Sequence, residues 1–299
     1  MPENQSSVMA VSDLKTAGAI TYWTCVNATD VSTLEENWIA AGLKTRDLPT
    51  LPRPASALSR AVHAQTERRL FPRILDDGGW ALVREEVAGH EYLPIIHVHL
   101  NAVGGLRFSQ PDGSPVPITC PECDHIEFDF QHALATLPAS EFGAWLANMV
   151  AGVDGLKLRP TGGFYFIPRG GMERWAAIAQ AVMASAAHTI FRIPALQVAD
   201  VCQAVMASMA AEVAEEASKL EKDLDNPDLG ARALRGRAGK CRDTANRVER
   251  FENLLGTSME SLREKLLTLQ ARLTEAALAQ EDSLLTTALP MAPAALPGF

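Results

Sequence analysis

Cys120 and Cys123 close the short stretch Cys120-Pro121-Glu122-Cys123, and His125 follows it. Upstream, His97 and His99 stand one residue apart in LPIIHVHL. Alternate residues of a strand face the same way, so both imidazoles can point at one ion. Two thiolates and two imidazoles are the set a tetrahedral structural zinc takes. The candidate ligands are therefore Cys120, Cys123, His97, His99 and His125; no cofactor is expected, and a structural zinc is the alternative these residues allow. A second Cys-x-x-Cys, which would complete a common zinc framework, is missing. A redox role would need the pair to open a helix after a strand. Prolines and acids crowd this one, so redox use ranks behind zinc.

The stretch TGGFYFIPRGG, residues 161–171, raises a second kind of chemistry. A phosphate loop needs G-x-x-x-x-G-K-[ST], and neither the lysine nor the hydroxyl is here. The glycine spacing of a dinucleotide fingerprint is absent too. What survives is Arg169 with Gly170 and Gly171 ahead of a helix, where free N–H groups can receive an anion. The plain alternative is a buried strand between two glycine turns. No nucleophile elbow or comparable setting occurs. The carboxylate pairs Glu85 with Glu86 and Glu127 with Asp129 lack matched partners and fit exposed strand faces. No catalytic residue is assigned, and no enzyme is expected.

Charge is sharply segregated near the C-terminus. Residues 212–228 hold seven acids against two lysines, and residues 231–250 hold seven bases against two acids. Arg232, Arg235, Arg237, Lys240 and Arg242 would suit a nucleic-acid patch. The alternative is that the chain reverses at NPDLG (226–230), so that the two segments neutralise each other. Phe251 is the one aromatic nearby, whereas single-strand binding uses several.

These residues need a scaffold. The chain has 299 residues, 47% of them hydrophobic, and a formal net charge of −9. That is enough for one large core or two small ones, and it disfavours global polyanion binding. No apolar run has membrane length. The N-terminus lacks the basic region and apolar block of a signal peptide, so a cytoplasmic location is expected. Five cysteines make no disulfide framework, and the odd number fits reduced thiols.

The pattern of elements predicts an α+β fold. Residues 1–19 are expected to be a mobile tail. ITYWTCV is strand-like, and a helix over 31–41 follows, with Ser32 and Glu35 at capping-box spacing. Pro54 suits the start of a second helix. LFPRIL and WALVREEV flank an Asp-Gly turn, and LPIIHVHL and LRFS flank Gly104-Gly105, giving two hairpins. IEFDF (126–130) is a further candidate strand. Helices are predicted at SEFGAWLANMVAG and at MERWAAIAQAVMASA. A strand pair is predicted over 155–168, and a last strand at TIFRIPAL. This N-terminal domain spans 20–196. Residues 197–288 then form a helical hairpin or coiled coil with a break near 226–230, and 289–299 a Pro-rich tail.

The last segment carries heptads. Met259, Leu262, Leu266, Leu269 and Leu273 alternate spacings of three and four, and Val248, Phe251 and Leu255 repeat the pattern upstream. Between Leu255 and Met259 the sequence allows either a stutter or a true break, with Gly256 ending one helix and Thr257 and Glu260 capping the next. These eight residues are the candidate oligomerisation or partner-binding seam. Whether they pack within the chain or between chains is open in the sequence.

Several stretches carry a family resemblance. They are TYWTCVNATDVSTLEENWIAAGL, ALSRAVHA, WALVREEV and, most specifically, RPTGGFYFIPRGGMERWAAIAQAV, followed by the helical C-terminal half. On these the chain resembles an uncharacterised family of bacterial, plasmid and phage proteins, over most of residues 20–275. The resemblance implies a mobile-element setting in a bacterial host cell and supplies no catalytic residue. The CPEC stretch is not part of that pattern. The expectation is a non-enzymatic interaction or assembly protein that self-associates or holds a protein partner. The alternatives are a nucleic-acid accessory protein and a protein with a structural zinc site. No membrane contact is expected.

Overall fold

A computed structural model describes residues 15–86, 91–226 and 228–288. Most of the expected N-terminal tail, the end of WALVREEV and the Pro-rich tail lie outside these residues. Strand β1 (Thr16–Thr24) opens the fold, earlier than ITYWTCV suggests. A short β2 (Thr29–Asp30) leads into helix α1 (Val31–Ala40). Its cap is Asp30, whose Oδ1 accepts the Thr33 N–H at 2.7 Å, in place of the expected Ser32. That satisfies one of the orphan donors of the first turn. Pro54 starts α2 (Pro54–Ala64), where a missing N–H does no harm. Strands β3 (Leu70–Ile74), β4 (Trp80–Glu86), β5 (Glu91–Leu100) and β6 (Leu106–Ser109) form an antiparallel sheet in that order.

Next comes α3 (Pro121–Ala135), and here the expected strand IEFDF is overturned. The buried residues Cys123, Ile126, Phe130 and Ala133 are spaced for one helix face, while Phe128 is 72% exposed. Then follow β7 (Thr136–Leu137), α4 (Ala139–Ala151), β8 (Leu156–Lys157), β9 (Tyr165–Pro168), α5 (Met172–Ser185) and β10 (Thr189–Leu196). The C-terminal helices are α6 (Ala199–Leu224), α7 (Ala231–Leu255) and α8 (Glu260–Ala288). Among the described residues helix makes up 56% and strand 20%, with antiparallel sheets in the N-terminal half and helices in the C-terminal half, so the fold is α+β.

Two compact units emerge, and neither is one stretch of sequence. One comprises the described residues within 23–149 and 174–190. Its core joins Ala57, Leu58, Ala61 and Val62 of α2 to Leu82 and Val98 of the sheet and to Ile126 and Phe130 of α3. The small residues of α2 let the two helices approach closely over the sheet.

The other unit comprises the described residues within 1–22, 150–173 and 191–299. Its sheet has the order β10-β1-β9-β8, with Ala19 opposite Ile167 and Leu156 opposite Phe166. Phe166 and Leu156 share a core with Val205, Met209 and Val213 of α6 and with Val248 and Phe251 of α7. Further along, Ala217, Leu220, Leu234, Cys241, Leu269 and Leu273 form an all-helical cluster.

The junction between α7 and α8 is a true break. Gly256 has φ +68°, a left-handed conformation that glycine adopts without a Cβ penalty, and its N–H returns to Glu252 O at 2.8 Å. The next helix is capped from the previous one. The Glu252 carboxylate accepts the Met259 N–H and the Arg263 guanidinium, the latter at 3.0 Å. Thr257 and Glu260 do not supply the expected box.

Candidate functional site

The heptad residues are placed first by burial. Val248, Phe251, Leu255, Met259, Leu266, Leu269 and Leu273 are all buried, and Leu262 is partly buried against the same cluster. Phe251 meets Phe166 of β9 with ring centroids 6.1 Å apart. The seam is thus filled by the chain's own α6, α7 and α8.

The charged segments meet in the same unit. Arg237 bonds Asp223 at 2.9 Å, Lys240 meets Glu216 at 2.6 Å, and Arg247 meets Glu212. As the numbers rise along α7 they fall along α6, so the two helices run antiparallel. Arg235 reaches Glu281 of α8, and Arg250 bonds Asp154 at 2.7 Å. Arg242 lies 4.0 Å from its neighbour Asp243. The cations a polyanion would need are mostly engaged within the chain. Arg232 is exposed at the start of α7.

A second pattern was missed in the sequence. On the side of α8 away from its buried seam, Leu267, Ala271, Thr274 and Leu278 are exposed and spaced four, three and four apart. Leu267 is 47% and Leu278 52% exposed. The Thr274 hydroxyl bonds Gln270 O at 2.9 Å on its own helix, so the methyl is what it offers outward. The heptad spacing of this row was readable, but it was overshadowed by the stronger leucine run beside it.

The cysteine and histidine candidates are not brought together. Cys120 and Cys123 are joined by a disulfide, correcting the expectation of reduced thiols for that pair; Cys25, Cys202 and Cys241 are free. The pair packs on Ile96 of β5, with Phe108 and Val116 around it. His97 and His99 alternate with the buried Ile96 and Val98, and so face the other way. His99 Nε2 lies 2.9 Å from Asp77 Oδ2. The Gly79 N–H first, and then His99, hold the Asp77 carboxyl below the usual range. His125 is exposed on α3. Among the described residues no group of three or more His, Cys, Asp or Glu is placed to hold a metal ion.

TGGFYFIPRGG resolves into β9 and a short 3-10 turn, Arg169–Gly171, leading into α5. A Cβ on Gly171 would lie 2.4 Å from Val153 O, whereas Gly170 has open space around it. Gly171 is therefore explained by close backbone packing. Arg169 is exposed on the turn. In the same unit a cavity of 480 Å³ is lined by Lys157, Arg159, Pro160, Ser208 and Glu212 among others. Its polar groups are turned to structural use: Lys157 donates to Pro160 O at 2.8 Å, and Arg159 lies over the Phe164 ring at 4.9 Å.

No helix among the described residues is long and apolar enough to cross a membrane. Fold and surfaces together define an α+β protein whose longest helices fill their own core and present one apolar row outward. The chain belongs to DUF6744, a family of unknown function, whose model matches residues 107–287. No curated protein and no solved structure matches it.

Proposed function

We propose that this is a non-enzymatic assembly protein of a mobile element, and that it pairs with a second copy of itself through the outer face of α8. The supporting observation is the symmetry of the exposed row. About a point between Arg272 and Leu273, Leu267 mirrors Leu278 and Ala271 mirrors Thr274. Antiparallel pairing of two such helices sets each leucine of one against the other leucine of its partner, and small residues against small. That is the self-complementarity a two-fold interface needs, on a helix whose opposite face is already filled. The heptad seam named in the sequence thus builds the unit, and the weaker row on its far side makes the contact.

Light scattering of the full chain after size exclusion tests this. The native chain runs as a dimer, and the double variant Leu267→Glu, Leu278→Glu runs as a monomer with unchanged far-UV circular dichroism. A native chain that stays monomeric at high concentration, or a variant that still dimerises, overturns the proposal.

A further inference from the structure

In the sequence, redox use of Cys120 and Cys123 ranks behind zinc because prolines and acids crowd a pair that should open a helix. It does open one. Cys120 is the N-cap of the fifteen-residue α3, Pro121 takes the first helical position, and Cys123 lies in the first turn. The Cys123 N–H points at Cys120 Sγ, 3.2 Å away. Sulfur at a helix N-terminus is favoured as an anion, both when it attacks and when it leaves. Glu122, the acid between the cysteines, is held by Arg84 at 3.1 Å, which offsets its charge beside the sulfurs.

Two further features separate a working couple from a staple. The disulfide bridges residues only three apart, so it closes a very short loop and removes little unfolded-chain entropy. The cysteines themselves keep only 8% and 7% of their surface exposed, but the chain beside them is open. Residues 117–119 and Pro121, on either side of Cys120, are exposed, while Ile96 and Phe108 back the pair from the sheet.

We infer that Cys120 and Cys123 form a thiol–disulfide exchange site that takes a small thiol or its disulfide as co-reactant. In the reducing direction a thiolate attacks Cys120 Sγ, the Cys120–Cys123 bond breaks, and Cys123 leaves as a thiolate that is then protonated. A second thiol releases the mixed disulfide. Two thiols are oxidised to one disulfide as the protein gains two electrons and two protons. The reverse path reoxidises the pair.

The test equilibrates the full chain in glutathione buffers of graded reduced-to-oxidised ratio. The samples are quenched in acid, then alkylated with N-ethylmaleimide in neutral denaturant and mass-mapped. Cys120 and Cys123 gain two labels together, with one midpoint and unchanged circular dichroism. Cys241, a buried free cysteine with no partner sulfur, takes the same single label at every ratio and serves as the internal control. Cys123→Ser traps glutathione on Cys120 at least about ten-fold faster than Cys120→Ser traps it on Cys123. The inference is overturned if the pair opens only when the chain unfolds. It is equally overturned if the two thiols label one at a time without closing, or if the reduced pair binds one equivalent of zinc and oxidises only after chelation. The native-chain titration decides even if a variant fails to fold.

Discussion

Replacing Arg247 by Met removes a cation while keeping most of its apolar stem, and it separates structural from ligand-directed use of the basic helix. Arg247 is the most enclosed of the α7 bases, with its side chain 16% exposed. One Nη meets Glu212, the other donates to Gly155 O at 2.6 Å, and the guanidinium lies 5.8 Å from the Phe251 ring centroid. A hydrogen bond from a charged donor contributes about 1.5–3 kcal/mol, and a buried carbonyl left unpaired costs about 1–3 kcal/mol. Gly155 is buried, so its carbonyl bears the second effect. Glu212 is 40% exposed and returns to water, which keeps the total at the low end of the about 3–5 kcal/mol of a fully buried broken pair. The net expectation is a loss of about 3 kcal/mol.

Lys240→Met is the matched control. Its pair with Glu216 is short, but the lysine is 59% exposed, and such pairs contribute about 0–1 kcal/mol. Urea unfolding followed by circular dichroism reads the difference. With a slope of about 2 kcal/mol/M, Arg247→Met lowers the midpoint by roughly 1.5 M and Lys240→Met by less than half of that. Equal shifts, or none for Arg247, would refute the assignment. Salt-dependent binding of single-stranded nucleic acid that disappears in Arg247→Met without loss of stability would restore the polyanion reading.

Two other predictions follow from single positions. His188 is buried, stacked on Phe142 at 4.5 Å, with Nδ1 accepting the Val26 N–H and Nε2 bonding Thr29 Oγ1 at 3.1 Å; burial holds its pKa below the ordinary value. The unfolded chain therefore takes up the proton first, so this contribution is whole above about pH 6.5 and is lost as pH falls below it. Urea midpoints between pH 8 and 5.5 should decline in the native chain and lie flatter in His188→Gln, and parallel slopes would refute the role. Gly171→Ala places a methyl 2.4 Å from Val153 O and should cost about 1–3 kcal/mol, read as a lower Tm, while Gly170→Ala is neutral. Comparable effects at both positions would return the glycine pair to an anion-binding explanation.

The elements that were legible in the sequence are those whose cause is local. Asp-Gly and Gly104-Gly105 fix their hairpins within a few residues, Pro54 fixes a helix start, and NPDLG separates α6 from α7. The capping of α8 was not local, since Glu252 reaches it from the preceding helix. The destination of the heptad seam was not local either, because a leucine row does not state which helix will cover it; here α6 does, together with β8 and β9.

The error with the largest chemical consequence lay in five residues. Ile126, Phe128 and Phe130 alternate with Glu127 and Asp129, which is a strand's period; Cys123, Ile126, Phe130 and Ala133 also satisfy a helix. The window is too short to separate the two periods. What separates them is α2, whose Ala57, Leu58, Ala61 and Val62 lie far upstream in sequence and offer a surface that a helix fits. Phe128, on which the strand pattern leaned, is left in solvent. With a strand at 126–130, Cys120 and Cys123 sit in a loop, and a metal is the natural use for two thiols. With a helix from Pro121, the same thiols occupy the cap and first turn, where sulfur is favoured as an anion and the pair is already closed. The chemistry assigned to CPEC therefore turns on a packing contact that no reading of CPEC itself contains.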